Sequence, residues 1–284
     1  MMEQSAVKAR IRYVSDTWKT TPGYPRIDSG NDRRANTEFQ DVEISDARPL
    51  QEQGLLDLDT NGFVLTKHQT QVRDFDDPRE IETTYVAEVV ELLKGLTGAE
   101  AVIPFNYLMR NEEPVSRQNW ANAYARYMHT DYNLGDGLEV MRRTLANHGY
   151  GDAAYHDGFT YRNLRDPGPY DMVMYGVWQP IRQEVQRNPL TLMDARDVPK
   201  DGMVDYVIGG AFGGLPFHDA KQRLYYFPRM QLGEVIVFKH LDARSGFPRG
   251  CPHTSFDDPN SPSDPLGRRS IEFRAVGVFG RSTG

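Results

Sequence analysis

Between residues 76 and 98 the apolar side chains Ile81, Tyr85, Val89, Leu92, Leu93 and Leu96 recur at helical spacing. Asp77 and Glu80 form a capping-box pattern at its start, Pro78 suits the first helical position, and Gly98 suits the left-handed residue that closes a helix. The pattern predicts a helix at about 77–97. A shorter one is expected at 136–148, where Asp136 and Glu139 repeat the box, Leu138, Met141 and Leu145 share a face, and Gly149 stops the run. From 170 onward the period shortens. YDMVMYGVWQPI (170–181), PLTLMDARDV (189–198), RLYYFPRM (223–230), EVIVFKHL (234–241) and SIEFRAVGVFG (270–280) are short branched and aromatic runs divided by Pro, Gly and Asp. That is the rhythm of a β-sandwich or barrel rather than of βαβ units, so the fold class is mainly β with flanking helices. Residues 1–60, with scattered charges and turn formers, read as an arm with a few strands packed on a main domain of 61–284. The Pro-, Ser- and Asp-rich stretch 243–269 reads as an ordered connection or a lid.

With 284 residues, of which 39% are hydrophobic, the chain can bury a full core. A formal charge of -7 leaves no broad basic surface for a phosphate backbone, so nucleic acid is not expected as a partner. The apolar runs fall short of the roughly 18–20 residues that span a bilayer, and MMEQSAVKARIRYV lacks a secretory h-region; a soluble, cytoplasmic protein is expected. The single cysteine, Cys251, excludes an internal disulfide framework and a CxxC zinc knuckle. Metal chemistry, if present, must use His and carboxylates.

Of seven histidines, one sits in an H-x-D arrangement, Tyr127-Met128-His129-Thr130-Asp131-Tyr132. On a strand, positions i and i+2 share a face, so His129 and Asp131 would project together and offer two ligands to one ion. The alternative is a hydrogen-bonded core or surface pair. Two His and one carboxylate leave three adjacent coordination positions open, as in non-haem Fe(II) oxygenases. His253, in Cys251-Pro252-His253-Thr254, is the candidate third ligand. Arg268, Arg269 and Arg274 follow it, and a buried guanidinium there would pair with a dicarboxylate, although a solvated strand end is the plain alternative. His68, His148, His156, His218 and His240 have no partner at ligand spacing and read as satisfied or exposed. Asp194 reads as a turn residue and Cys251 as a buried, inert thiol.

The blocks GFVLTKHQTQVRDFDD, HTDY, GVWQPI, NPLTLMDARDV, LYYFPRMQLGEVIVFKHLDAR, CPHTSFDDPNSP and RRSIEFRAV resemble, in order and spacing, the small non-haem iron, 2-oxoglutarate-dependent hydroxylase and desaturase family. That family includes the fungal gibberellin desaturase and the small methoxylase component of cephamycin biosynthesis. The resemblance covers roughly residues 60–280. It implies a double-stranded β-helix (jelly-roll, cupin-like) core, with His129, Asp131 and His253 as the catalytic iron ligands and O2 and 2-oxoglutarate as cosubstrates. Arg274 and Arg268 both match the family's cosubstrate arginine. Arg274 is preferred because the short apolar strand Ala275 to Phe279 follows it directly, with Arg268 in reserve. Trp178, Tyr225 and Tyr226 match family positions, with Tyr226 assigned to the cosubstrate and Tyr132 and Trp178 to the substrate pocket; each reads equally as jelly-roll core. Arg110 is a candidate partner for a substrate carboxylate or a salt bridge at a strand end. Gln179 and Asn133 stand where the family often has Arg and Thr, so a different substrate is expected at the cavity they border.

The function so implied is oxidation of a small specialised metabolite by hydroxylation, desaturation or ring formation. Two other readings stay open: a Zn(II) hydrolase or isomerase on the same scaffold, which would not need the arginines, and a noncatalytic small-molecule-binding jelly roll. A sheet edge or the N-terminal arm is a candidate surface for a homodimer.

Overall fold

The computed structural model describes residues 5–112, 120–121, 125–148, 170–198 and 201–280. In chain order the elements are β1 (Ala6–Val14), α1 (Gly30–Asn36), β2 (Thr37–Asp46), α2 (Arg48–Glu52), β3 (Phe63–Lys67), α3 (Pro78–Glu80), a π-helical turn (Ile81–Tyr85) and α4 (Val86–Thr97). After these come β4 (Ala101–Asn111), β5 (Trp120–Ala121), α5 (Leu134–Asn147), β6 (Tyr170–Pro180), β7 (Leu190–Met193), β8 (Met203–Ile208) and β9 (Ala211–Pro216). The last four are β10 (Leu224–Tyr226), β11 (Glu234–Asp242), β12 (His253–Ser255) and β13 (Arg269–Gly280).

A five-stranded sheet, β1-β2-β10-β7-β12, and a six-stranded sheet, β3-β11-β6-β13-β4-β5, make the jelly roll, with the β8-β9 hairpin beside them. The runs read as strands from 170 onward form β6, β7, β10, β11 and β13. Residues 1–60 contribute β1 and β2 to the five-stranded sheet, and β2 runs parallel to β10. In β13 the period of two is plain. Ile271, Phe273 and Ala275 join Tyr85, Val89 and Leu93 of the helix in one apolar cluster, while Ser270, Glu272 and Arg274 alternate with them on the opposite face of the strand. Polar side chains in a strand buried along most of its length mark the working face of the sheet.

The first helix starts and stops where its pattern places it, with Gly98 at φ 69°. Its capping box is only half formed: Asp77 accepts from the Arg79 N–H, but Glu80 turns back to the Arg73 and Asp74 amides instead of that of Asp77. The second helix begins two residues earlier than its pattern suggests. Asn133 is the cap, accepting from the Asp136 amide, and the Asp136 carboxylate accepts from the Phe212 amide, so no Asp136–Glu139 box exists. Two elements had no readable signal. β4 carries Pro104 and an extra residue, Phe105, which breaks its alternation. The β8-β9 hairpin turns on Gly209 and Gly210, both with positive φ, as a two-residue loop of primed type requires.

A second bulge matters more. β6 pairs with Lys239 and Leu241 of β11 and skips His240, which is therefore the extra residue. Bulges re-aim side chains beside active sites, and this one turns His240 inward, fully buried.

Candidate metal centre

His129 and His253 lie directly opposite one another in an antiparallel bridge, each amide donating to the other's carbonyl, at 3.1 and 2.9 Å. Their rings come within 4.7 Å between centroids. On the other side Thr130 exchanges backbone hydrogen bonds with Gly214 of the hairpin, at 2.8 and 3.1 Å. The approach needs glycine: a Cβ on Gly213 would lie 2.5 Å from the Thr130 carbonyl oxygen. The H-x-D segment is thus pinned from both flanks.

Both imidazoles are oriented in the same way. His129 Nδ1 lies 2.9 Å from the Tyr127 carbonyl and His253 Nδ1 lies 3.1 Å from that of Cys251. A carbonyl only accepts, so each Nδ1 carries the proton and each Nε2 keeps a free lone pair. Those two Nε2 atoms converge on one oxygen: Asp131 Oδ1 is 3.2 Å from His129 and 3.9 Å from His253. All three ligand atoms lie within 4.8 Å of one another. The donor set fits a ferrous ion held on one face, with three positions left open. Burial, reinforced by His129, pushes His253 down to about 4, so it stands as the neutral ligand form at neutral pH.

Behind this trio runs an alternating chain of charge. Asp131 Oδ2 accepts from Arg274 Nη2 at 2.6 Å and Nε at 3.1 Å. Arg274 also donates to Glu272 Oε1 at 2.5 Å and to Asn106 Oδ1 at 3.2 Å, and Glu272 Oε2 meets Arg110 at 3.3 Å. Burial raises the Asp131 carboxyl, but Arg274, His240 and the two facing histidines outweigh it and hold it well below the usual carboxylate range. Glu272 behaves alike: burial is overcome by Arg274 and Arg110, and it falls to about 2. His240 sits against both carboxylates, Nδ1 at 3.6 Å from Asp131 and Nε2 at 3.8 Å from Glu272, beyond hydrogen-bond length. Burial pushes its imidazole down to about 3, so it is neutral. Asp131, His240 and Glu272 make a second group of metal-ligand type, but Arg274 already supplies its cation.

A narrow cleft of about 30 Å³ opens from the two histidines and is lined by Arg110, Trp178, Arg268 and Glu272 among others. Arg268 lies 5.5 Å over the Trp178 ring and donates through Nη1 to the carbonyl of Asn188. Glu112 accepts from the Arg268 amide, Arg187 and the Asn188 side chain, which fixes that corner. Asn188 itself adopts φ 49°, the left-handed region Asn tolerates.

Arg268, Glu272 and Arg274 share one face; Arg274 is engaged by Asp131 and Glu272, and Arg268 lines the cleft. Tyr226 does not line the cleft. It points to the outer side of its sheet, edge-on to Phe256 at 5.2 Å, in a cluster with Val7, Ile11 and Met193. Gln179 faces the helix, accepting from Tyr85 Oη at 3.0 Å and meeting His68 Nδ1 at 2.9 Å. Asn133 is spent on its cap and on Asp205. Neither borders the cleft. Tyr132 packs edge-on to His240 at 6.0 Å, beside the helix α5 cluster rather than in the cleft.

Asp194 caps the short turn Ala195–Asp197 and pairs with Arg196, and Cys251 is fully buried with its thiol raised by burial. His156 lies outside the described residues. Sequence reasoning missed Glu272, although it shares parity with both arginines, and His240, whose inward turn depends on a bulge that no periodicity reveals.

The chain is 27% identical to a hydroxylase/desaturase, efuI, of Hormonema carpetanum, over 86% of this chain and 85% of the relative. It is 26% identical to the Fe(II)/2-oxoglutarate-dependent dioxygenase nvfI of Aspergillus novofumigatus, over 84% and 83%. The solved structure of the iron and alpha-ketoglutarate-dependent endoperoxidase NvfI in a different conformation shares the fold, with a TM-score of 0.78 at 23% identity over 99% of this chain and 100% of that one. A family profile described as an oxidoreductase/YMDC permease-like domain matches residues 11–279. With nearly the whole chain matched around the two-histidine, one-carboxylate centre, the protein belongs to that oxidoreductase family.

Proposed function

We propose that the chain is an Fe(II)- and 2-oxoglutarate-dependent oxygenase that hydroxylates, desaturates or cyclises a small specialised metabolite. The observation that carries this reading is the convergence of His129 Nε2, His253 Nε2 and Asp131 Oδ1, with both histidines lining a cleft that Arg268 also lines. His129, Asp131 and His253 would hold the ferrous ion, and Arg268 would meet the distal carboxylate of 2-oxoglutarate through charge-assisted hydrogen bonds. When bound, iron and the keto acid supply oxidative decarboxylation to succinate and CO2, which activates O2 for hydrogen abstraction. The protein's part is orientation. The Tyr127 and Cys251 carbonyls set the imidazole tautomers, Trp178 backs the Arg268 guanidinium, and the Asn188 carbonyl holds it in place. Arg110, paired with Glu272 and lining the cleft, would meet an anionic or carbonyl group of the substrate. A hydrolytic zinc centre would need neither arginine. No helix among the described residues is long and apolar enough to cross a membrane.

The test is succinate formation from 2-oxoglutarate by anaerobically purified protein given Fe(II), ascorbate and air, with and without a metabolite extract. Iron-dependent succinate, stimulated by a fraction of the extract, is expected. Its absence from protein that carries tightly held zinc would overturn the reading.

A further inference from the structure

The two oxygens of Asp131 face different groups. Oδ1 faces the two Nε2 atoms, at 3.2 and 3.9 Å. Oδ2 takes two N–H donors of one guanidinium, Nη2 at 2.6 Å and Nε at 3.1 Å. We propose that Arg274 is a positioning residue for the metal centre: by occupying Oδ2 it confines Asp131 to a single ligating oxygen and keeps one coordination position open beside the two that a keto acid fills. The proposal rests on the ferrous centre proposed above.

Arg274 can serve as such a stop because it is itself immobilised. Its Nη2 is shared with Glu272 Oε1 at 2.5 Å, and its Nη1 donates to Asn106 Oδ1 at 3.2 Å. The Phe105 bulge falls between the Asn106–Arg274 and Ala275–Pro104 pairs, directly at the point of contact. Glu272 is in turn tied through Oε2 to Arg110. On the remaining side His240, without a hydrogen-bond partner among the described residues, fills the space next to both carboxylates. A carboxylate free of these constraints can swing and bind an ion through both oxygens, which is common for hard cations. With Oδ2 held, an ion at this site has three protein ligands and three open positions. With Oδ2 released, it has four ligands, and the position O2 requires is taken. Removing Arg274 also deletes a positive charge near the ion, so affinity for the metal need not fall; what changes is coordination.

The experiment uses the full chain loaded with Mn(II), which is stable in air, and counts metal-bound waters from the broadening of its electron paramagnetic resonance lines in 17O-enriched water. The parent should show three. Arg274→Met should show two, and Arg274→Lys, which keeps a charged donor, should restore the third. A second reading compares the dissociation constants of 2-oxoglutarate and 2-oxobutyrate, a keto acid without the distal carboxylate, on the metal-loaded protein. In Arg274→Met both should weaken by a similar factor, on the order of ten-fold, with their ratio unchanged. In Arg268→Gln the ratio should collapse while the water count stays at three. Three waters in Arg274→Met, together with a lost preference for 2-oxoglutarate, would overturn the proposal and make Arg274 the cosubstrate anchor. A parent that binds no Mn(II) would instead overturn the metal centre itself. Arg274→Gln carries the same two readings if the Met variant does not fold.

Discussion

Gly176 lies at the middle of β6, paired with Phe238 on one side and Arg274 on the other, and adding a single methyl group there should disable the site from behind. A Cβ at this position would stand 2.5 Å from Phe238 Cζ, 2.6 Å from His240 Nε2 and 2.7 Å from Phe238 Cε1. Carbon atoms in contact prefer about 3.5–4.0 Å, so something must retreat by roughly 1 Å. Phe238 has little room to do so. Its ring is held between His240 at 4.7 Å and His253 at 4.9 Å, and displacement carries it into the ring of His253. Overpacking of this kind costs about 1–3 kcal/mol, a fall in Tm of roughly 2–12 °C for a chain this size. The functional loss should be larger in proportion, because a displacement of about 1 Å at a reacting centre costs on the order of a hundred-fold in rate. Thermal unfolding and iron-dependent succinate formation measure the two effects. Gly95→Ala is the control: its Cβ meets nothing within 4 Å on an exposed turn of α4, and it should stabilise by up to about 1 kcal/mol. Parent-like melting and full turnover in Gly176→Ala would refute the argument that this strand crossing is packed to contact.

Lys239, fully buried between Asp59 and Asp242 at 2.6 and 2.5 Å, ties the turn at Asp59 to β11. Because Arg244 still neutralises Asp242, Lys239→Met should cost about 2–3 kcal/mol in chemical denaturation rather than the roughly 3–5 of a stranded charge. Asn188→Gly should leave the 2-oxoglutarate dissociation constant near that of the parent, since glycine accepts the positive φ and the anchoring contact comes from the backbone carbonyl. Asn188→Val, strained at φ 49°, should raise it several-fold in calorimetric titration. Glu234 is raised by burial but pulled down further by Arg48, the Gln231 amide and Lys67, to about 2 from an ordinary 4.5. A carboxyl depressed on folding stabilises above its unfolded value and loses that contribution as pH falls through the folded one. Melting curves between about pH 4.5 and 2 should therefore drop more steeply for the parent than for Glu234→Gln.

The strands from 170 onward were legible because each alternates or runs apolar between turn formers, and β13 shows its two faces residue by residue. The H-x-D pair was legible because residues two apart on extended backbone share a face, although the segment is held by isolated bridges and forms no strand. What escaped depended on breaks in that parity. His240 is turned by an inserted residue, and β4 hides behind Pro104 and Phe105. Arg274 and Arg268 share a face, so alternation cannot rank them, and only the folded chain brings Glu272 and Asp131 within reach of Arg274. Tyr226 and Gln179 lie off the cleft, while Trp178, next to Gln179, lines it. The helix caps were misjudged where a nearer acceptor, Asn133, or nearer donors, Arg73 and Asp74, competed.

The bridge between His129 and His253 joins chain segments roughly 120 residues apart, and closing so long a loop costs an unfolded chain about 4 kcal/mol of entropy. An ion shared by those two residues would act as a clasp on the molecule's topology as well as a reagent. Because only the closed form presents both rings, loading would be read out as resistance to unfolding. Heat or protease treatment of a mixed preparation would then digest the empty molecules first, leaving a population enriched in loaded ones.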